Sequence, residues 1–171
     1  VDTPLLFVQN VTGYMVGTEY EQRGMVKHGA HQINAVTNST VPHLTVQIGG
    51  SYGAGNYGMA GRSYNPRFLF VWPNAKTAVM GAEQLAGTLS IVARASAADR
   101  GIPFDEEADR ARTRAIEEQI HREEEASVLS GQLYDDGIID PRDTRDVLGV
   151  SLSAALTNEC RGQRGYGVFR M

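Results

Sequence analysis

An apolar run, HLTVQI at residues 43–48, leads straight into GGSYGAGNYGMAG at 49–61, where six of thirteen residues are glycine. A strand ending in so many glycines has to turn sharply, and the missing Cβ atoms let a bound group approach the main chain. Amide N–H groups, rather than side chains, then become the chemical groups on offer. Residues 53–58 formally fit G-x-G-x-x-G after a strand. The dinucleotide fingerprint also needs a long helix after its third glycine and an acid about 20 residues on. Here Asn65 and Pro66 interrupt soon after Gly58, and the first acid beyond the loop is Glu83. No G-K-[ST] follows, which excludes a phosphate loop as well. A different use fits better. One reading is that two successive amides, at Ala54 and Gly55, open a short helix beginning near Ala54 and, with the positive end of its dipole, form an oxyanion hole. Only small residues let an oxygen reach such amides, and these two qualify. A structural turn that needs glycine for positive φ accounts for the same residues, and the sequence leaves both open.

Charge is partitioned along the chain. No Asp or Glu occurs from Gln22 to Ala82, while Arg23, Lys27, Arg62, Arg67 and Lys76 all fall there. The glycine-rich centre is expected to be carboxylate-free and mildly cationic, suiting an anionic ligand or an anion formed during reaction; buried strands, where carboxylates are scarce, explain it equally. Arg23 and Lys27 are candidates to attract an anion, with solvated helix charges as the plainer reading. The net charge of −4 gives no reason to expect nucleic acid. The one cysteine, Cys160, excludes an internal disulfide and is expected to be structural. No run of about 18 apolar residues and no leader pattern is visible, so neither a membrane span nor a secretory signal is expected, and the chain reads as soluble and intracellular. No metal site is expected.

Periodicity predicts a buried strand over 4–10, a helix over 19–37, the strand at 43–48, and short extended pieces at 68–72 and 77–80. A helix over 81–95 is expected to carry Leu85, Leu89 and Val92 on one face. Residues 105–126, dense in acids and arginines, read as a solvated helix laced with opposite charges that carries no chemistry at His121. A turn and short strand at 135–140 precede a last helix opened by Pro141. Strands separated by helices imply an α/β chain with parallel pairing.

The collinear motifs PLLFVQNVTGYMVG at 4–17, KHGA at 27–30, GGSYGAGNYGM at 49–59, WPNA at 72–75, VMG at 79–81, DDGIIDP at 135–141 and GVSLSAAL at 149–156 resemble the carboxyltransferase (beta) subunit of biotin-dependent acyl-CoA carboxylases. Gln9, Asn10, the 55–59 motif and the GVFRM ending at 167–171 resemble the methylcrotonoyl-CoA or geranyl-CoA carboxylase branch. Ala60 departs from that pattern where cysteine is expected, a small apolar exchange.

The resemblance implies a crotonase-like α/β fold of stacked ββα units, truncated on its N-terminal side, with 1–171 as part of a C-terminal carboxyltransferase domain. It implies transfer of carboxyl from carboxybiotin, carried on a partner (alpha) subunit with the biotin carboxylase, to an acyl-CoA. The expected assembly is a homo-oligomer, cytoplasmic in a bacterium and in the mitochondrial matrix of a eukaryote. Ala54 and Gly55 correspond to the biotin-side oxyanion hole; Thr12, Gly13, Tyr14 and Gly53 are expected to line the biotin pocket, and Tyr57 and Met59 to shape the acyl end. A family subunit is about three times as long, so this chain reads as a fragment that lacks the CoA-holding half and is inactive alone. Two alternatives stand beside it: another crotonase-like acyl-CoA enzyme, a hydratase or isomerase, which needs an acid near the hole, and a noncatalytic assembly fragment.

Overall fold

The computed structural model describes residues 2–165, 167 and 168. Phe169, Arg170 and Met171 of the C-terminal motif lie outside the described residues. Four strands form one sheet: β1 (Leu5–Val11), β2 (His43–Tyr52), β3 (Phe68–Val71) and β4 (Lys76–Ala78). Every named pairing is parallel, with β2 central. On one side β1 runs alongside it, Leu5 opposite His43 through Gln9 opposite Gln47; on β2's ladders β3 takes Leu44–Gln47 and β4 takes Gly50–Tyr52. The register slips between Gln9 and Val11, where β2 carries extra residues. Asn10 fills that slip, its Oδ1 accepting the Gly50 amide at 3.1 Å. A Cβ on Gly49 would sit 2.6 Å from the same oxygen. The parallel α/β arrangement expected from the sequence is therefore what the chain adopts.

The single helix expected over 19–37 is two, α1 (Thr18–Gln22) and α2 (Met25–Asn38). Gly24 separates them with φ 85°, a left-handed value that no α-helix can pass through. The strand expected to be buried at 4–10 is also corrected. Leu5, Leu6 and Val8 are exposed and only Gln9 of β1 is fully buried; among the described residues β1 is an edge strand, paired on one side.

Leu44 and Val46 of β2 and Leu69, Phe70 and Val71 of β3 are buried, and Leu69, Val71, Ala75 and Ala126 form one apolar cluster. Two long helices, α4 (Ala82–Asp99) and α5 (Glu106–Glu123), pack on each other. The apolar face of α4 is not its buried one: Leu85 is half-buried, Leu89 and Val92 are exposed, and Ala82, Ala86 and Ala97 are buried. The helices meet through small and polar groups instead. Ser90 donates to Asp109, Arg94 pairs with Glu106, and the Arg94 guanidinium lies 4.4 Å from the Phe104 ring centroid. Asp105 caps α5, its Oδ1 accepting the Glu107 and Ala108 amides at 3.0 and 2.9 Å.

Beyond α6 (Ala126–Gly131), residues 136–139 run along β3. The Asp136 amide bonds Leu69 O, the Val71 amide bonds Gly137 O and the Ile139 amide bonds Val71 O. The expected short strand is thus one bridge, Val71 to Ile138. Pro141–Asp143 form a 3-10 turn, and α7 (Thr144–Ala155) follows. Trp72 Nε1 donates to Thr144 Oγ1 at 3.0 Å, tying α7 to the end of β3. Cys160 is free and half-buried. Among the described residues no helix is long and apolar enough to cross a membrane.

Candidate active site

The glycine run folds as the end of β2 followed by a six-residue helix, α3 (Gly53–Gly58). Tyr52 is still extended, with φ −119° and ψ 145°, and Gly53 makes the corner with φ 57°. That left-handed value is strained for any residue with a Cβ, which explains glycine at this position. The first amides of a helix have no intrahelical acceptor. Ala54 and Gly55 lie in that first turn, no side chain caps it, and among the described residues no backbone acceptor outside α3 takes either amide.

A cavity of about 740 Å³ opens here, lined by Gly53, Ala54, Asn56 and Tyr57 from α3 and by Val79 and Met80 after β4. Ala54 is exposed to it, and Tyr57 stands edge-on to Tyr64, 5.5 Å between centroids. Gly55 is buried on the opposite side of α3. A Cβ there would sit 2.8 Å from Val11 Cγ2 and 3.1 Å from Gly13 Cα. The loop carrying Thr12, Gly13 and Tyr14 therefore packs on the back of α3, and none of these three lines the cavity. Gly13 turns with φ 114°. Tyr14 fits between Gly29 and Gly58, where added Cβ atoms would lie 2.8 and 2.4 Å from it, and burial pushes its phenol up. Met59 is not on the cavity either. Its carbonyl accepts Gln9 Nε2 at 2.6 Å.

Below α3 a polar chain fixes the helix. Gln9 Oε1 accepts Ser51 Oγ at 2.6 Å, and Ser51 Oγ accepts Asn56 Nδ2 at 2.7 Å. Gln9 and Ser51 are fully buried. Gly61 is required beside this chain, since a Cβ would fall 1.8 Å from Asn56 Oδ1.

The expectation of a carboxylate-free centre is corrected by tertiary contact. Glu123, Glu124 and Asp135 all line the cavity. Glu124, 2% exposed, accepts Tyr52 Oη at 2.9 Å, Lys76 Nζ at 2.8 Å and His121 Nδ1 at 3.0 Å. Burial raises its pKa, and the hydrogen bonds from Lys76, His121 and Tyr52 outweigh that and hold it below the usual carboxylate range. Burial, with the Glu124 bond and charge, pushes the Tyr52 phenol up to about 12. The charged segment 105–126 is therefore not a uniformly solvated face, since Asp109 and Glu124 are both buried. Nothing in the one-dimensional pattern marked Glu124, which is one of three consecutive glutamates. Arg23 pairs with Glu19 at 2.8 Å in solvent, and neither it nor Lys27 lines the cavity. Among the described residues no three His, Cys, Asp or Glu side chains gather as a metal site.

Comparison with known proteins matches residues 1–167 to the carboxyl transferase domain family. The chain is 63% identical, over 99% of its length and 32% of the relative's, to a probable biotin-dependent acyl-coenzyme A carboxylase beta2 subunit of Mycobacterium tuberculosis. It is 49% identical, over 98% of its length and 32% of the relative's, to that organism's 3-methylcrotonyl-coenzyme A carboxylase beta1 subunit. In structure it is similar to the geranyl-CoA carboxylase beta subunit of P. aeruginosa, with TM-score 0.84 and 42% identity over 99% of this chain and 32% of that one. The chain thus spans about a third of the length of the relatives it matches. The likeness in coordinates places the parallel sheet and its helices in the crotonase-like architecture that the sequence motifs implied. With a family match over nearly every residue and relatives well above 30% identity, the chain belongs to the carboxyl transferase domain family of biotin-dependent acyl-CoA carboxylase beta subunits.

Proposed function

We propose that this chain is the C-terminal part of a carboxyltransferase subunit that moves a carboxyl group from biotin on a partner subunit to an acyl-CoA resembling 3-methylcrotonoyl-CoA, within an oligomer. The observation that carries the reading is the pair of first-turn amides at Ala54 and Gly55, without outside acceptors, in a helix whose Ala54 lines the cavity while Gly55 is buried behind it. Their surroundings suit a biotin ring oxygen. Ala54 is exposed and small, Gly55 has no side chain, and the buried Glu124 carboxylate is matched by Lys76. Biotin, when bound, supplies the carboxyl group and the base. The chain's own part is to hold negative charge on oxygen at the two amides and to shape the cavity wall with Tyr57, Val79 and Met80. Met59, Thr12, Gly13 and Tyr14 act from behind α3 by fixing its position.

The hydratase or isomerase reading needs a free carboxylate as acid or base. Glu124 is tied to three donors and held ionised. Asp135 accepts Ser130 Oγ at 2.9 Å and Glu123 accepts Gln119 Nε2 at 2.8 Å, so each cavity carboxylate is already engaged, Glu124 most of all. A test uses the complete subunit with its biotin-carrying partner. Ala54→Val lowers carboxylation of a β-methyl enoyl-CoA on the order of 10²-fold or more, the scale for loss of one oxyanion donor. Unchanged turnover and biotin affinity would reduce α3 to a structural turn.

A further inference from the structure

The proposed chemistry makes no use of the charges gathered at one wall of the cavity. Glu124 follows the last turn of α5, and its side chain is almost wholly buried. Its Oε2 accepts the Tyr52 hydroxyl, its Oε1 accepts Lys76 Nζ and faces His121 Nδ1, and its main-chain carbonyl accepts the Thr77 amide at 3.0 Å. One residue thereby joins the end of β2, the start of β4 and the end of α5. Through His121, whose Nε2 lies 3.7 Å from Glu83 Oε1, the first turn of α4 is drawn in as well. Tyr52 is the residue immediately before Gly53, and its extended backbone sets the direction in which α3 departs.

We propose that Glu124 is a positioning residue for the Ala54 and Gly55 amides: by holding the Tyr52 hydroxyl it fixes the corner from which the first turn of α3 meets the cavity. This rests on the oxyanion reading above. The sheet ladders and the Leu69, Val71, Ala75 and Ala126 cluster support the fold alongside it. Burying a carboxylate is costly in desolvation, and an apolar side chain would fill the same space with no such cost. What the carboxylate adds is direction, because each of its bonds has a set geometry. On its far side α3 packs on Val11 and Gly13; Ser51 bonds Asn56 of the helix, and the Tyr52 bond to Glu124 is the anchor next to the corner.

Glu124→Gln, Tyr52→Phe and the double variant, made in the complete subunit assembled with its biotin-carrying partner, test this. Both single variants lower kcat on the order of 10- to 100-fold, the scale for small misplacement of a catalytic group. KM for the acyl-CoA changes little, since ground-state binding is untouched. Amide hydrogen exchange over residues 50–58 speeds up in both, and the double variant is no worse than the worse single one. Unchanged exchange, or losses in kcat that multiply in the double variant, would overturn the inference. Ala54→Val separates this failure from failure of the hole itself. If that variant loses turnover while Glu124→Gln keeps it, the positioning role is wrong; if Ala54→Val keeps full turnover, the oxyanion reading is wrong and with it the catalytic purpose of the clamp.

Discussion

Single residues at this site are constrained by what the backbone and its neighbours permit. Gly55 has Val11 and Gly13 against it, so Gly55→Ala forces a methyl into a space 2.8 Å from Val11 Cγ2. The expected outcome is a loss of about 1–3 kcal/mol, the usual cost of overpacking, seen as a lower midpoint in urea. Glu124 gives a pH signature. Its carboxyl is held below the ordinary 4.5, with burial opposing and hydrogen bonds from Lys76, His121 and Tyr52 prevailing. A carboxyl that gives up its proton more readily folded than unfolded stabilises the fold above that ordinary value, and the gain is lost as pH falls through the lower folded value. The stability gap between the natural chain and Glu124→Gln is therefore largest near neutral pH and closes in acid below 4.5, as denaturant melts at a series of pH values check. Some of this was readable in the sequence: Gly53 and Gly13 sit where φ is 57° and 114°. Ala60, at φ 52° and fully buried, was not, because an alanine carries no mark of a left-handed backbone.

Elements were legible in type and place more than in the face they bury. Strand and helix positions followed from periodicity, but α4 turned its alanines inward. Leu89 and Val92 stay exposed, while α4 meets α5 through Ser90 to Asp109 and Arg94 to Glu106. Leu89→Gln is expected to change stability by less than about 0.5 kcal/mol, as at other surface positions, whereas Ala86→Leu costs about 1–3 kcal/mol by overpacking. Equal effects in thermal melts would mean that the sequence pattern had the burial right. The start of α5 rests on Asp105, whose two accepted amides make Asp105→Ala worth roughly 1 kcal/mol of lost stability. Helical circular dichroism during denaturant unfolding measures it. The break between α1 and α2 escaped periodicity because Gly24 lies on no apolar stripe, and its φ of 85° is set by the turn rather than by the helix pattern.

At the scale of the molecule, parallel strands bring the carboxyl end of β2 to one edge of the sheet, where α3 and the cavity lie. One lateral margin is β1, with Leu5, Leu6 and Val8 exposed along a strand whose outer edge is unpaired among the described residues. Such an edge invites association. Leu6→Lys with Val8→Lys in this 171-residue chain is expected to lower light scattering at a given concentration with little change in helical content; unchanged scattering would show that association arises elsewhere. The amino-acid sequence alone determined the parallel α/β class, the glycine corner and the family, because these depend on local turn chemistry and on motifs in collinear order. Only the tertiary structure decided that Thr12, Gly13 and Tyr14 stand behind α3, and that a glutamate 72 positions after Tyr52 takes its hydroxyl. Such pairings follow from how helices settle against the sheet, a long-range balance of burial and hydrogen bonding that leaves no spacing along the chain.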